Sequence, residues 1–243
     1  MRKIYKNPLI ILALGILIIG AGSVTATRAA MVAQTAAERV NFKTAALSVD
    51  VQELVDSEYI SLNEDEDLRF PEITADETVK IGKKYGEDVR VVNDSNNETG
   101  YSEYVRVVVK KSWFKDDKTS TDLDPSLIKL EIADGWIENK AEATDEQSVY
   151  YMSAPLACGN TAPFITGITI DGKITDIVVN TGTEVEIKNE YVYNGESAYI
   201  QIKADAVQTH NAEQAIYAAW GVKATCSAED DGNILTIDGT SIQ

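Results

Sequence analysis

The sequence predicts an all-β protein, an antiparallel β-sandwich with one short helix near its C-terminus. Beyond residue 40 the chain breaks into roughly nine or ten short β-type runs at intervals of about 8 to 15 residues, the spacing typical of a sandwich. Turn-forming residues separate these runs, and only one later segment has the period and end signals of a helix. Regular alternation of strands with helices, which would indicate an α/β fold, is missing from the pattern.

A secretory signal peptide is predicted ahead of the sandwich. Arg2, Lys3 and Lys6 form a positive start, and the stretch 8–22 that follows is apolar and uncharged. This run is shorter than the roughly 20 residues that a membrane-spanning helix needs. A helical signal that is cleaved after export is therefore favoured over a permanent membrane anchor.

Small residues place the most favourable cleavage site between Ala29 and Ala30, and a competing site follows Ala26. The chain after the cut, residues 30–243, contains no linker and no internal repeat, so a single sandwich domain is expected. On this interpretation the protein is secreted, signal peptidase is a partner during export, and the membrane is a partner only before cleavage.

The charge of the chain excludes one class of partner. Its formal net charge is −17, and the predicted signal carries four of the 22 basic residues but no acidic ones. Cleavage therefore raises the excess of negative charge further. Such a surface repels nucleic acid, so no nucleic-acid partner is expected.

The first strand of the sandwich is predicted over 40–54, where apolar side chains recur mainly at every second position. The clearest strand follows at 101–113, with Val105, Val107 and Val109 on one face. Arg106 lies on the opposite face and is expected to be half-buried and paired with a carboxylate. A short β-type run is also predicted at 78–81.

The one helix is predicted over 211–221. Asn211 suits the N-cap, and Gly221 suits the C-terminal end. Helical spacing puts Ile216, Ala219 and Trp220 on one face, which should cover the end of the sandwich.

Several segments resemble the TasA/camelysin-like family, exported proteins of Gram-positive bacteria that the signal peptidase SipW processes. The resemblance, which is closest to clostridial-type members, is carried by the signal junction, the first strand, the hairpin around the 101–113 strand, a Pro-Leu segment and the stretch before the helix: 22–31, 40–49, 90–113, 154–164 and 203–213. It implies a jelly-roll type of sandwich at the cell surface or in the extracellular matrix. It further implies polymerisation into biofilm-matrix fibres.

The sequence argues against catalysis, cofactors and a metal centre. His210 is the sole histidine, which excludes zinc and iron sites built from two or three histidines. The metalloprotease activity attributed to camelysin-like members is therefore not expected here. Acidic loops at 63–67 and 116–125 lack the spacing of calcium-binding loops and are interpreted as solvated loops. Four aromatic residues that could form a sugar-binding platform are interpreted as core residues instead: Trp113, Trp136, Tyr150 and Tyr151.

Cys158 and Cys226 would both remain after cleavage of the signal. An even number of cysteines in an exported protein predicts a possible disulfide, and closing so long a loop would stabilise the fold by about 4 kcal/mol. The alternative is that they are two unrelated small residues.

Two functions remain open. In the first, the protein is a structural subunit whose new N-terminus adds as a strand to a neighbouring copy, giving a homopolymer. The segment 30–39 is either this donor strand or a flexible end, and the residues assigned to assembly are Met31, Val32, Ala33, Gln34 and Val40. In the second, the protein is an extracellular adhesin or ligand-binding module without catalysis.

Overall fold

The computed structural model describes residues 47–62, 68–70, 79–95, 100–116, 118–180 and 189–241. All of these residues belong to one compact unit that begins at Ala45. The predicted signal peptide and the segment 30–46 lie outside the described residues, so their predictions remain predictions. None of the helices in the described ranges is both long and apolar enough to cross a membrane.

Most of the described chain is β-strand. The strands, in chain order, are β1 (Val49–Val55), β2 (Glu58–Ser61), β3 (Lys84–Asn93), β4 (Glu103–Lys115), β5 (Lys118–Ser120), β6 (Ile128–Ile132), β7 (Trp136–Glu138), β8 (Gln147–Met152), β9 (Thr161–Ile170), β10 (Val178–Asn180), β11 (Asn189–Tyr191), β12 (Ser197–Gln208), β13 (Ala224–Cys226), β14 (Ile234–Ile237) and β15 (Thr240–Ser241). The α-helix α1 spans Ala212–Trp220, and short 3-10 helices span Pro125–Leu127 and Gly172–Asp176.

Two antiparallel sheets form the body of the fold. Sheet 1 has the strand order β2-β1-β3-β9-β6. Sheet 2 has the order β12-β4-β8-β7, and the short β5 also pairs with β4. The chain passes from one sheet to the other between β3 and β4, between β5 and β6, between β6 and β7, between β8 and β9, and between β9 and β12. This alternation confirms the predicted jelly-roll-like β-sandwich.

The sandwich core lies between the two sheets. Val105, Val107 and Val109 of β4 are fully buried and belong to the same apolar cluster as residues of β3 and β9. Phe164 of β9 is contacted across the core by two aromatic rings of sheet 2, Trp136 at 4.8 Å and Tyr150 at 5.5 Å between ring centres. The predicted division of the 101–113 strand into two faces is therefore correct, and the face with the three valines is the one that points into the sandwich core.

A second, smaller core covers the other face of β4. Tyr104 of β4 and Ile216 of α1 are both fully buried in it, together with residues of β13 and β14. The Tyr104 hydroxyl donates a 2.6 Å hydrogen bond to the carbonyl oxygen of Gly232, which anchors the β13–β14 turn. Since β4 is covered on both faces, its dense run of β-branched residues is explained by burial rather than by propensity alone.

The C-terminal helix forms where it is predicted, with two differences in detail. Gly221 ends it with φ of 75°, a conformation that favours glycine. Asn211 stands at the N-cap position, but its side chain makes no capping hydrogen bond. Ile216 is buried as predicted, whereas Ala219 is exposed. The buried face of α1 is instead completed by Ala212, one turn before Ile216.

The predicted β-run at 78–81 is wrong over its described residues. Val79 and Lys80 are irregular, and a turn at Ile81 and Gly82 leads into β3. Gly82 has φ of 75°, so the chain reverses here because glycine allows a conformation that other residues avoid. The first strand begins at Val49 within the described residues.

Candidate assembly surface

The edges of the two sheets differ greatly in length. Sheet 1 ends in β2 and β6, of four and five residues, and sheet 2 ends on one side in β7, of three residues. The remaining edge strand, β12, has 12 residues, and along the described chain no strand pairs with its outer side. Short edges offer little template for pairing with another chain, whereas a long edge is a ready template.

The hydrogen bonds of β4 determine which backbone groups of β12 point outward. Glu103 exchanges both backbone hydrogen bonds with Leu156, and the backbone N–H of Lys111 donates to Glu146, so odd-numbered β4 residues bond toward β8. Even-numbered β4 residues must then bond toward β12, and the register pairs them with odd-numbered β12 residues. The outward backbone groups of β12 therefore belong to its even-numbered residues: Ala198, Ile200, Ile202, Ala204, Ala206 and Gln208.

A groove runs beside this open edge. Its volume is about 620 Å³, and it is lined by residues of β12, β4 and β8 in sheet 2 and by β1, which lies alongside β12. Val49, Val51 and Leu62 give it an apolar wall, and Ile202 and Ala204 line it from β12. The groove and the edge together offer both apolar contact and backbone hydrogen-bonding groups.

The charged groups at the groove are partly paired with each other. Arg106 of β4 donates a 2.7 Å hydrogen bond to Asp205 of β12, and the Arg106 side chain is 20% exposed. The guanidinium also lies 5.4 Å from the centre of the Trp220 ring. The predicted half-burial and carboxylate pairing of Arg106 are thus confirmed. The pair lies on the outer face of sheet 2, so it does not cover the outward backbone groups of β12.

Among the described residues, the side chains of Glu53, Glu103 and Glu196 are fully buried, and the sequence analysis did not predict this. Glu53 of β1 is fully buried and accepts hydrogen bonds from the backbone N–H groups of Arg69 (2.7 Å) and Phe70 (3.1 Å), which ties that segment to sheet 1. Glu103 is also fully buried, neither of its carboxyl oxygens has a hydrogen-bond partner, and burial raises its pKa to about 8. Glu196, just before β12, has a fully buried side chain.

For two of these glutamates, the alternation of apolar residues along the strand could have indicated burial. Glu53 follows Val49 and Val51 at every second position, and Glu103 precedes Val105 in the same way. Nothing comparable marks Glu196, because it lies in the turn before a strand.

The predicted cleavage and assembly residues lie outside the described residues: Ala29, Ala30, Met31, Val32, Ala33, Gln34 and Val40. The structure therefore provides a possible acceptor surface for the donor segment but does not describe the segment itself.

The two cysteines are thiols in the structure and are not bonded to each other. Cys158 contacts the carbonyl oxygen of Ser95 at 3.1 Å, at the end of sheet 1. Cys226 lies on β13 beside the Tyr104 hydroxyl, and burial raises the pKa of its thiol. The two side chains thus have different neighbours, and the possible disulfide is not formed.

The aromatic residues considered for a sugar platform are packed inside the protein. Trp113 and Tyr151 are buried, while Trp136 and Tyr150 pack on Phe164 in the core.

His210 is largely exposed, and its Nδ1 lies 2.8 Å from an oxygen of Asp230. In the part of the chain that the structure describes, no three side chains of His, Cys, Asp or Glu are grouped as metal ligands.

Comparison with known proteins leaves the geometry as the sole guide to function. No family model, no curated protein and no solved structure matches this chain.

Proposed function

We propose that the protein is a secreted structural subunit, a cell-surface or extracellular-matrix protein that assembles by strand addition between copies. The observation that carries this proposal is the 12-residue edge of β12, with its outward backbone groups beside a groove that has one apolar wall. An added strand would complete the hydrogen bonding of sheet 2 and bury the groove walls.

The segment 30–40 has the length and composition that this edge requires. Its 11 residues span about 36 Å when extended, close to the length of β12. Residues 30–37 carry no charge and contain neither proline nor glycine, so every backbone group is available for pairing. Since the segment precedes β1, cleavage of the predicted signal would leave it at the N-terminus of the mature chain.

Two variants separate the donor from the acceptor. A protein comprising residues 41–243 lacks the donor segment but keeps the β12 edge. In Ala204→Pro the donor is retained, but the substitution removes an outward N–H from the middle of β12 without removing a β4–β12 hydrogen bond. Lys203→Pro is the contrasting variant, because that residue bonds toward β4 and its loss should destabilise the monomer itself.

Electron microscopy and analytical ultracentrifugation of the mature protein, residues 30–243, should show fibres that lengthen with rising concentration. Neither single variant should polymerise, and circular dichroism should show that both are folded. Mixed in equal amounts, they should form a dimer that goes no further, because one supplies the donor and the other the acceptor. Fibres of either variant alone would refute the proposed pairing.

A further inference from the structure

A small cavity opens between the two sheets, away from the β12 groove. Its volume is about 280 Å³, just below the range of pockets that hold drug-sized ligands, so it fits a smaller molecule. Tyr85 and Ile168 line it from sheet 1, Trp113 and Ala198 line it from sheet 2, and Phe70 completes the apolar wall. Tyr85 and Trp113 are buried, so the cavity has aromatic walls at fixed positions.

One carboxylate lines this mainly apolar cavity, and the exposed Arg69 is the other charged residue among its described lining. Glu196 lines it, and the Glu196 side chain is 0% exposed. Its Oε1 accepts a 3.0 Å hydrogen bond from the Ser120 hydroxyl and lies 3.5 Å from the Lys115 ammonium nitrogen. Its Oε2 is buried and has no hydrogen-bond partner. Buried carboxylate oxygens are rarely left unpartnered, because the lost hydration is not replaced.

We infer that this cavity is a binding site for a small organic amine, a primary ammonium group carried on an apolar body. The ammonium would donate to Glu196 Oε2, and a charged N–H donor is the strongest partner that a carboxylate oxygen can take in a water-poor site. The apolar body would lie between the rings of Tyr85 and Trp113. The cavity shares no lining residue with the β12 groove, although Ala198 belongs both to the cavity and to the β12 edge. The inference concerns the unassembled subunit, so it does not depend on strand addition.

Benzylamine is a suitable probe, with benzyl alcohol and phenylacetate as probes of the same shape but different head groups. Each is titrated at pH 7 into the unassembled mature protein, and two-dimensional NMR follows the Trp113 indole N–H and the Ala198 amide. Benzylamine should give saturable shifts at both positions and bind at least tenfold more tightly than benzyl alcohol. Phenylacetate, which brings a second negative charge to the carboxylate, should not bind.

Glu196→Gln should remove the preference for benzylamine over benzyl alcohol. The matched control is Glu146→Gln, since Glu146 is an exposed glutamate that does not line the cavity, and this variant should keep the preference. Equal binding of amine and alcohol to the unmodified protein would overturn the inference without any variant. A preference for benzylamine over benzyl alcohol that persists in Glu196→Gln would overturn it as well, because it would come from general attraction of the amine to an acidic protein.

Discussion

Replacing Glu103 with glutamine should remove a loss of stability that the protein suffers as the pH rises. The Glu103 carboxyl is fully buried with no hydrogen-bond partner, and its pKa is raised from 4.5 to about 8 by desolvation. Between these two values the folded protein holds a proton that the unfolded chain has released. Stability therefore falls as the pH rises. The stabilisation that comes from the protonated Glu103 carboxyl is fully present below pH 4.5 and is lost by about pH 8.

The magnitude follows from the width of this interval. Each pH unit within it changes the free energy of unfolding by about 1.4 kcal/mol, so the loss between pH 5 and pH 7 is about 3 kcal/mol. Other carboxylates add their own pH dependence, often of opposite sign. The quantity to compare is therefore the difference in unfolding free energy between Glu103→Gln and the unmodified protein at each pH.

Urea unfolding of both proteins at pH 5, 6, 7 and 8 measures this difference. The glutamine variant should gain about 3 kcal/mol relative to the unmodified protein between pH 5 and pH 7. Glu58→Gln, at an exposed position on β2, is the control and should show a difference that hardly changes with pH. A constant difference for Glu103→Gln would show that the carboxyl is already ionised or solvated in the folded protein, and the reasoning would fail.

Three further predictions concern packing and cysteine chemistry. Gly232→Ala would place a Cβ 2.3 Å from the backbone nitrogen of Ala228 and should lower the free energy of unfolding by about 1–3 kcal/mol. Gly172→Ala is the control, because its Cβ would meet open space. Equal melting temperatures of the two variants would contradict this prediction. Ile216→Ala should cost about 2–5 kcal/mol in urea unfolding, while Tyr217→Ala, at a position 57% exposed, should stay within about 0.5 kcal/mol. Under denaturing, non-reducing conditions both cysteines should react with iodoacetamide, and a mass without adducts would instead demonstrate a disulfide.

The fold class was predictable because period-2 alternation reports directly on burial. On β4 the alternation correctly placed Val105, Val107 and Val109 on one face and Tyr104 on the other, and the structure shows that the valine face lies in the sandwich core. What it did not indicate is that the opposite face is covered too. That layer is built from α1 and β13–β15, which lie about a hundred residues later in the chain, and local periodicity carries no information on such distant contacts.

Charged residues at inward positions of strands also made the core difficult to predict from the sequence. Lys111 lies on the same face as Val109 and Trp113, and its ammonium group donates a 3.1 Å hydrogen bond to the carbonyl oxygen of Ile128. Burial lowers the pKa of this lysine. A charge ordinarily marks the solvent face of a strand, so such residues are assigned to the core only when the alternation is followed through them.

Of the two parts of the proposed contact between copies, the sequence predicted the donor segment but not the acceptor edge. The capacity of an N-terminal segment to form a strand is a property of sequence, and the segment 30–40 was identified from composition alone. The acceptor is a property of strand order, because β12 becomes an edge only through its position beyond β4 in sheet 2. The sequence around Ile202 and Ala204 has nothing that distinguishes an edge strand from a central one.

The unequal lengths of the sheet edges also determine whether an assembly of these subunits would have two different ends. With one long acceptor edge and one donor segment per subunit, contacts between copies would be head to tail rather than two-fold symmetric. Any assembly built this way is polar: one end displays an empty β12 edge, and the other displays an unused N-terminal segment. The two ends would then differ in growth rate, and a short peptide with the sequence of residues 30–40 would cap one end selectively.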